Sequence, residues 1–135
     1  MSNIKVFILE DCPNRMKWFR EKFNEGITLY TATSVEAGKK VYEENGPFQL
    51  LLLDHDLADE HYEEHKGGEA VLKGSGTEFA RWLVNEETQW ARQDCEVVIH
   101  SLNPHGAERM RGILSKSGFC VVRKVPYIQL KRNIQ

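Results

Sequence analysis

Apolar and polar positions alternate along the chain in two kinds of block, with periods of two and of 3.6 residues. Ile4–Leu9 (IKVFIL) is short and apolar and stops at Glu10-Asp11, as a buried strand does at a polar rim. Met16, Phe19 and Phe23 then recur at helical spacing. Pro13 suits the first turn of that helix, with Asp11 or Cys12 as its cap, and Asn24 and Gly26 end it. Ile27–Ala32 alternates and is rich in β-formers, which predicts a second strand. Ser34 caps a second helix that carries Ala37 and Val41 and closes at Gly46-Pro47. Residues 48–53 are apolar on both faces, as a central parallel strand is.

Residues 57–74 are polar, contain Gly67-Gly68 and read as a loop. Ser75 and Glu78 are spaced as a capping box before a helix whose apolar face is Phe79, Trp82 and Leu83. Residues 97–99 form a fourth strand that ends at His100-Ser101. Asn103-Pro104 opens a fourth helix, Ala107, Met110 and Leu114 face the core, and Gly118 stops it. Residues 119–122 form a fifth strand ending at Arg123-Lys124. Strands that alternate with helices predict a parallel sheet covered on both faces and, with right-handed crossovers, doubly wound. Sites in such sheets form beyond the carboxyl ends of the strands, where the strand order reverses.

Length and charge narrow the partners. A chain of 135 residues is expected to form one domain, residues 1–135. A net charge of −2 leaves no electrostatic footprint for duplex DNA. No apolar run has membrane-spanning length, and the N-terminal segment lacks the pattern of a signal peptide. Cys12, Cys95 and Cys120 are widely spaced and fit neither a disulfide framework nor a zinc site, so a reducing cytoplasm is expected.

The predicted strand ends carry the chemistry: Glu10-Asp11, Asp54-His55-Asp56, His100-Ser101 and Lys124. All five histidines (55, 61, 65, 100 and 105) lie at or beyond the ends of strands three and four. His61, His65 and His105 are read equally well as solvated loop residues, whereas His55 and His100 sit directly at strand ends. Hydrolysis needs a base for water and an acid for the leaving group, and two histidines can hold one of each near neutral pH. Nearby carboxylates would fix their tautomers. Ser101, Asn103 and the free amides behind Pro104 are candidates for binding an anion. Arg15 either reaches toward the rim or, on the plainer reading, forms a surface salt bridge. Successive strand residues face opposite ways, so whether His55 and His100 share a pocket stays open. A transition-metal site of His and Asp ranks lower, because no fixed ligand spacing is present.

These residues give the chain a family resemblance. It resembles the receiver domains of response regulators, with Glu10 and Asp11 matching the acidic pair, Asp54 the phosphoacceptor, Ser101 the hydroxyl and Lys124 the lysine. That resemblance implies Mg²⁺ held by Glu10, Asp11 and Asp54, with Ser101 and Lys124 on phosphoryl oxygens. The chain departs from the pattern in the long acidic loop after Asp54, in Val125 standing between Lys124 and Pro126, and in the short remainder for a fifth helix.

The stretches LEDCPNR, LLLDHDL and VIHSLNPHGAERM are similar to a divergent offshoot, the cyclic-phosphate processing receiver domains. The resemblance implies a flavodoxin-like, doubly wound, five-stranded sheet of order 2-1-3-4-5 with a reduced or missing last helix. It implies binding or hydrolysis of a cyclic phosphate on a nucleotide or RNA end. His55, His100 and Asp54 are then the catalytic candidates, Asn103 joins Ser101 and Lys124 at the phosphate, and Asp11, Asp56 and Arg15 support them. The alternatives are a Mg²⁺-dependent signalling module phosphorylated on Asp54 and read by a protein partner, or a degenerate receiver that only binds protein.

Overall fold

The computed structural model describes residues 4–23, 26–57, 74–85, 95–101, 103–116 and 121–125. Among the described residues, five strands, β1 (Ile4–Leu9), β2 (Ile27–Ala32), β3 (Leu50–Leu53), β4 (Glu96–Ile99) and β5 (Val121–Lys124), alternate with four helices. The helices are α1 (Pro13–Lys22), α2 (Val35–Asn45), α3 (Gly76–Asn85) and α4 (Pro104–Ser115). All strand pairs are parallel and the order is β2-β1-β3-β4-β5, as expected. The long polar segment after Leu57, most of it, and the last ten positions, where a fifth helix was expected to be reduced or missing, lie outside the described residues.

Period-two alternation divides the strand side chains between two cores. Phe7, Leu9, Leu51, Leu53, Val97 and Ile99 pack against α2, α3 and α4. Val6, Ile8, Leu52 and Val98 pack on the other side against Met16, Trp18 and Phe19 of α1. Both faces of β3 are therefore dry, which accounts for its unbroken leucines.

Helix starts follow local chemistry, with two adjustments. Ser34 and Asn103 accept hydrogen bonds from Ala37 N–H and Gly106 N–H and cap α2 and α4 as expected. At α3, Ser75 Oγ accepts from Thr77 N–H, and Glu78 reaches back to Gly74 N–H rather than to Ser75 itself. On α2 the buried residues are Val35, Gly38 and Tyr42, and Ala37 is exposed. The expected face is thus rotated, because Gly38 lets the helix lie close to Phe79 and Phe7.

The register aligns the strand exits. Leu9 pairs with Leu53, and Leu53 with Ile99. The ladder runs one residue further, through Asp54 N–H to Leu9 O, His100 N–H to Leu53 O and Val125 N–H to Ile99 O. Glu10, Asp54, His100 and Val125 therefore form a row across the carboxyl rim. The strand order reverses between β1 and β3, so Glu10 and Asp54 stand at the switch point.

Candidate functional site

Parity of the strands decides which side each rim residue takes. Glu10, Asp54 and His100 fall on the α1 side, one position beyond inward-facing residues of the opposite parity. His100 lies edge-on to Phe19 of α1, with ring centroids 5.0 Å apart. His55 takes the opposite side, under the first turn of α4. The structure thus separates the two histidines that sequence reasoning paired as acid and base. Each faces a different helix layer, because they occupy positions of opposite parity on neighbouring strands.

On the α1 side, Glu10 is the hub. Its Oε1 accepts from Arg15 Nε at 2.9 Å and lies 2.8 Å from His100 Nε2. Its Oε2 accepts from Cys12 N–H at 2.9 Å and from Arg15 Nη2 at 3.2 Å. The same Nη2 lies 3.5 Å from Asp54 Oδ2. Asp54 Oδ1 accepts from His55 N–H at 2.8 Å. Asp54 Oδ2 and His100 Nδ1 are buried and make no hydrogen bond among the described residues. Arg15 is therefore part of the rim, and the plainer surface-salt-bridge reading does not hold.

Burial and charge drive the two carboxyls apart. For Asp54, burial comes first and the Glu10 charge second, and together they hold its carboxyl well above the ordinary 3.8. Burial would raise Glu10 as well, but the His100 hydrogen bond and charge, Arg15 and the Cys12 amide outweigh it and lower it to about 2. Glu10 is thus an anion across the ordinary pH range, while Asp54 is biased toward the neutral acid.

The α4 side is a packed network. His55 Nδ1 lies 2.9 Å from Asp56 Oδ1, which also accepts from Asn103 Nδ2 at 3.1 Å. Asn103 Oδ1 meanwhile caps α4 through Gly106 N–H, and Ser101 Oγ accepts from Asn103 N–H. Gly106 has a specific reason to be glycine: a Cβ there would lie 2.3 Å from His55 Cγ. Gly76 is similar, since a Cβ would stand 2.1 Å from Asp54 O. Sequence reasoning missed both glycines; a glycine two residues inside a Pro-initiated helix was the available hint for Gly106. Ser101 and Asn103, expected at phosphate oxygens, are engaged in building the start of α4.

Lys124 takes neither side of this centre. It pairs with Ile99 in the sheet, and its Nζ lies 2.6 Å from Glu108 on the outside of α4. Val125 occupies the rim row instead and packs in the α1-side core. Asp11 is half-buried beside Glu10, and His105 is exposed on α4. His61 and His65 lie outside the described residues.

Glu10, Asp54 and His100 each offer one possible ligand atom within 4.8 Å of the others, a buried acidic cluster of the kind a cation can join. This cluster overlaps the expected Mg²⁺ set of Glu10, Asp11 and Asp54 only in part, with His100 in place of Asp11. That ion wants oxygen donors and retained waters. Here an imidazole nitrogen is one of the three, Glu10 already makes four polar contacts, and the cationic position between Glu10 and Asp54 belongs to Arg15.

A five-stranded parallel sheet of this order, with acids at its switch point, defines a receiver-type domain. Solved structures agree on the fold. A non-phosphorylated HemR receiver domain from Leptospira biflexa superposes with a TM-score of 0.62 at 20% identity, covering 98% of this chain and 95% of that one. A CheY-like response regulator receiver domain from Methanospirillum hungatei JF-1 gives 0.61 at 17% identity, covering 98% and 91%. One from Clostridium thermocellum gives 0.61 at 16%, covering 97% and 90%. Within that class, residues 5–116 match the family described as cyclic-phosphate processing receiver domain, and the chain belongs to it. Comparison with curated protein sequences finds no match.

Proposed function

We propose that the chain binds a cyclic phosphate, on a nucleotide or an RNA end, and hydrolyses it on the α1 side of the rim. The observation that carries this reading is the buried Glu10–His100 pair beside an Asp54 carboxyl whose protonation is favoured. The two carboxyls, pushed in opposite directions, take different roles at one pH: Asp54 is the acid, and Glu10 is the anion that orients His100. In this reading His100 donates from Nε2 to the Glu10 carboxylate and acts on water through Nδ1. His100 Nδ1 takes a proton from water as the water oxygen bonds to phosphorus. The ring P–O bond breaks and Asp54 gives its proton to the departing oxygen. The products are a phosphate monoester and a free hydroxyl. Arg15, with 17% of its side chain exposed, is the cation nearest solvent in the group and faces the incoming phosphate. His55 is a positioning residue, which fixes the exit of β3 through Asp56 and α4. No step requires a metal ion.

The substrate class fits a cytoplasmic protein, and no described helix is long and apolar enough to cross a membrane. The signalling alternative is less well supported. A phosphoacceptor must be an anion, whereas Asp54 is biased toward its acid form, and Lys124 is directed to Glu108. Beryllofluoride would have to change the protein's spectrum for that reading to stand.

Incubation with 2′,3′-cyclic nucleotides or RNA carrying a cyclic-phosphate end tests the proposal. The expected result is release of the monoester, slowed about 100-fold or more by His100→Ala and by Asp54→Asn, the usual scale of acid–base catalysis. A wild-type protein that leaves every such substrate intact contradicts it.

A further inference from the structure

We propose that the Arg15 guanidinium holds the place a divalent cation would take among Glu10, Asp54 and His100. The wild-type rim then excludes such a metal, and removal of Arg15 converts it into a metal site. The argument is independent of the phosphoesterase reading. A Glu10 anion with almost no solvent exposure, beside a second buried carboxyl, needs a cation nearby, since water is not there to screen it. Either a metal ion or a side chain can supply it. Arg15 does so with the geometry of a built-in ligand: its Nε and Nη2 fork onto the two oxygens of Glu10, and Nη2 also faces Asp54 Oδ2 at 3.5 Å.

The fork has a consequence for coordination. Both Glu10 oxygens are engaged by Arg15, His100 and the Cys12 amide, so an incoming cation meets a guanidinium where it needs a carboxylate lone pair. Repulsion between the two cations in this buried group makes simultaneous occupancy unfavourable. Without Arg15 the donor atoms remain clustered within 4.8 Å, two carboxylates and one imidazole. Asp54 Oδ2 and His100 Nδ1 are buried and make no hydrogen bond among the described residues, so two of these residues hold an uncommitted donor atom. Mixed oxygen and nitrogen ligands suit Mn²⁺ or Zn²⁺ better than Mg²⁺. Position on α1 explains how one residue does this: Arg15 lies in the first turn of the helix that begins three residues after Glu10.

Titration of the full chain with Mn²⁺, followed by the electron paramagnetic resonance signal of free Mn²⁺, provides the test. The wild type is expected to leave the signal undiminished and its melting temperature unmoved. Arg15→Ala is expected to take up one Mn²⁺ per chain and to melt higher with it, and Asp54→Asn added to that variant should abolish the uptake. Arg15→Lys, which retains the charge, should bind far less Mn²⁺ than Arg15→Ala. Stoichiometric Mn²⁺ binding by the wild type, lost in Asp54→Asn, overturns the proposal, as does a folded Arg15→Ala that binds none. If Arg15→Ala folds only with help, refolding is the readout: recovery in Mn²⁺ but not in Mg²⁺ supports the proposal, and failure in both overturns it.

Discussion

The two sides of the carboxyl rim have nearly the same residue types and opposite characters. Each has a histidine, an acid at hydrogen-bond distance from it, and a helix above. On the α4 side, His55, Asp56 and Asn103 join in a hydrogen-bonded network beneath the first turn of a capped helix, although His55 Nε2, like His100 Nδ1, is buried without a hydrogen bond among the described residues. On the α1 side, two acids and an arginine crowd around His100, and Asp54 Oδ2 and His100 Nδ1 stay without hydrogen bonds among the described residues. Buried polar groups left incomplete are costly, and proteins concentrate them where they bind or react. The comparison teaches that a histidine next to a carboxylate is not in itself a catalytic sign. What surrounds the pair distinguishes packing from chemistry: a second acid and an arginine beside His100, a carboxamide and a helix start beside His55.

The largest expected effect breaks the packed side. Gly106→Ala puts a methyl group 2.3 Å from His55 Cγ and should destabilise the fold by about 1–3 kcal/mol, the usual range for overpacking. Combining it with His55→Ala should recover part of that loss in a double-mutant cycle followed by urea denaturation. Strict additivity would mean that helix α4 does not rest on this ring.

The next effect has the opposite sign and belongs to the reactive side. Asp54→Asn removes a buried carboxyl whose charged form is disfavoured, so it should stabilise the protein by about 1 kcal/mol at neutral pH while slowing turnover. The folded pKa of Asp54 is raised above 3.8, so the folded state binds the proton more tightly. Its carboxyl therefore loses stability for the fold as pH rises above 3.8, and the advantage of Asn should vanish below that pH. Glu10 opposes it: lowered from 4.5 to about 2, it contributes stability that is present above 4.5 and lost as pH falls toward 2. Urea midpoints across pH for both proteins would separate the two carboxyls.

The smallest effect is expected at Lys124. Lys124→Ala breaks an exposed pair with Glu108 outside the rim, so turnover should stay within about twofold and the melting temperature should barely move. A large loss of activity would return the lysine to the site and reopen the phosphoacceptor reading.

Much of this architecture was legible in the chain. Alternation and helical spacing located the strands and helices, and caps at Ser34 and Asn103 announced two helix starts. The resemblance pointed to the sheet order. Glu10, Asp54 and His100 were recognisable as strand-end residues, but their common side was not. That depends on β1, β3 and β4 pairing so that Leu9, Leu53 and Ile99 align, and register is a tertiary fact. The same gap misplaced Lys124, whose position near the end of β5 looked right while its parity directed it to α4. Arg15 was undervalued because a charged residue on an exposed helix turn usually makes a weak surface pair. Only the short path from β1 into α1 folds it back over Glu10.

The most direct measurement compares two conservative variants on a cyclic-phosphate substrate, His100→Gln and His55→Gln, each confirmed as folded by circular dichroism. The account predicts that His100→Gln lowers turnover about 100-fold or more, whereas His55→Gln keeps most of it and loses stability instead. Equal loss of turnover in both folded variants would contradict the assignment of chemistry to one side of the rim.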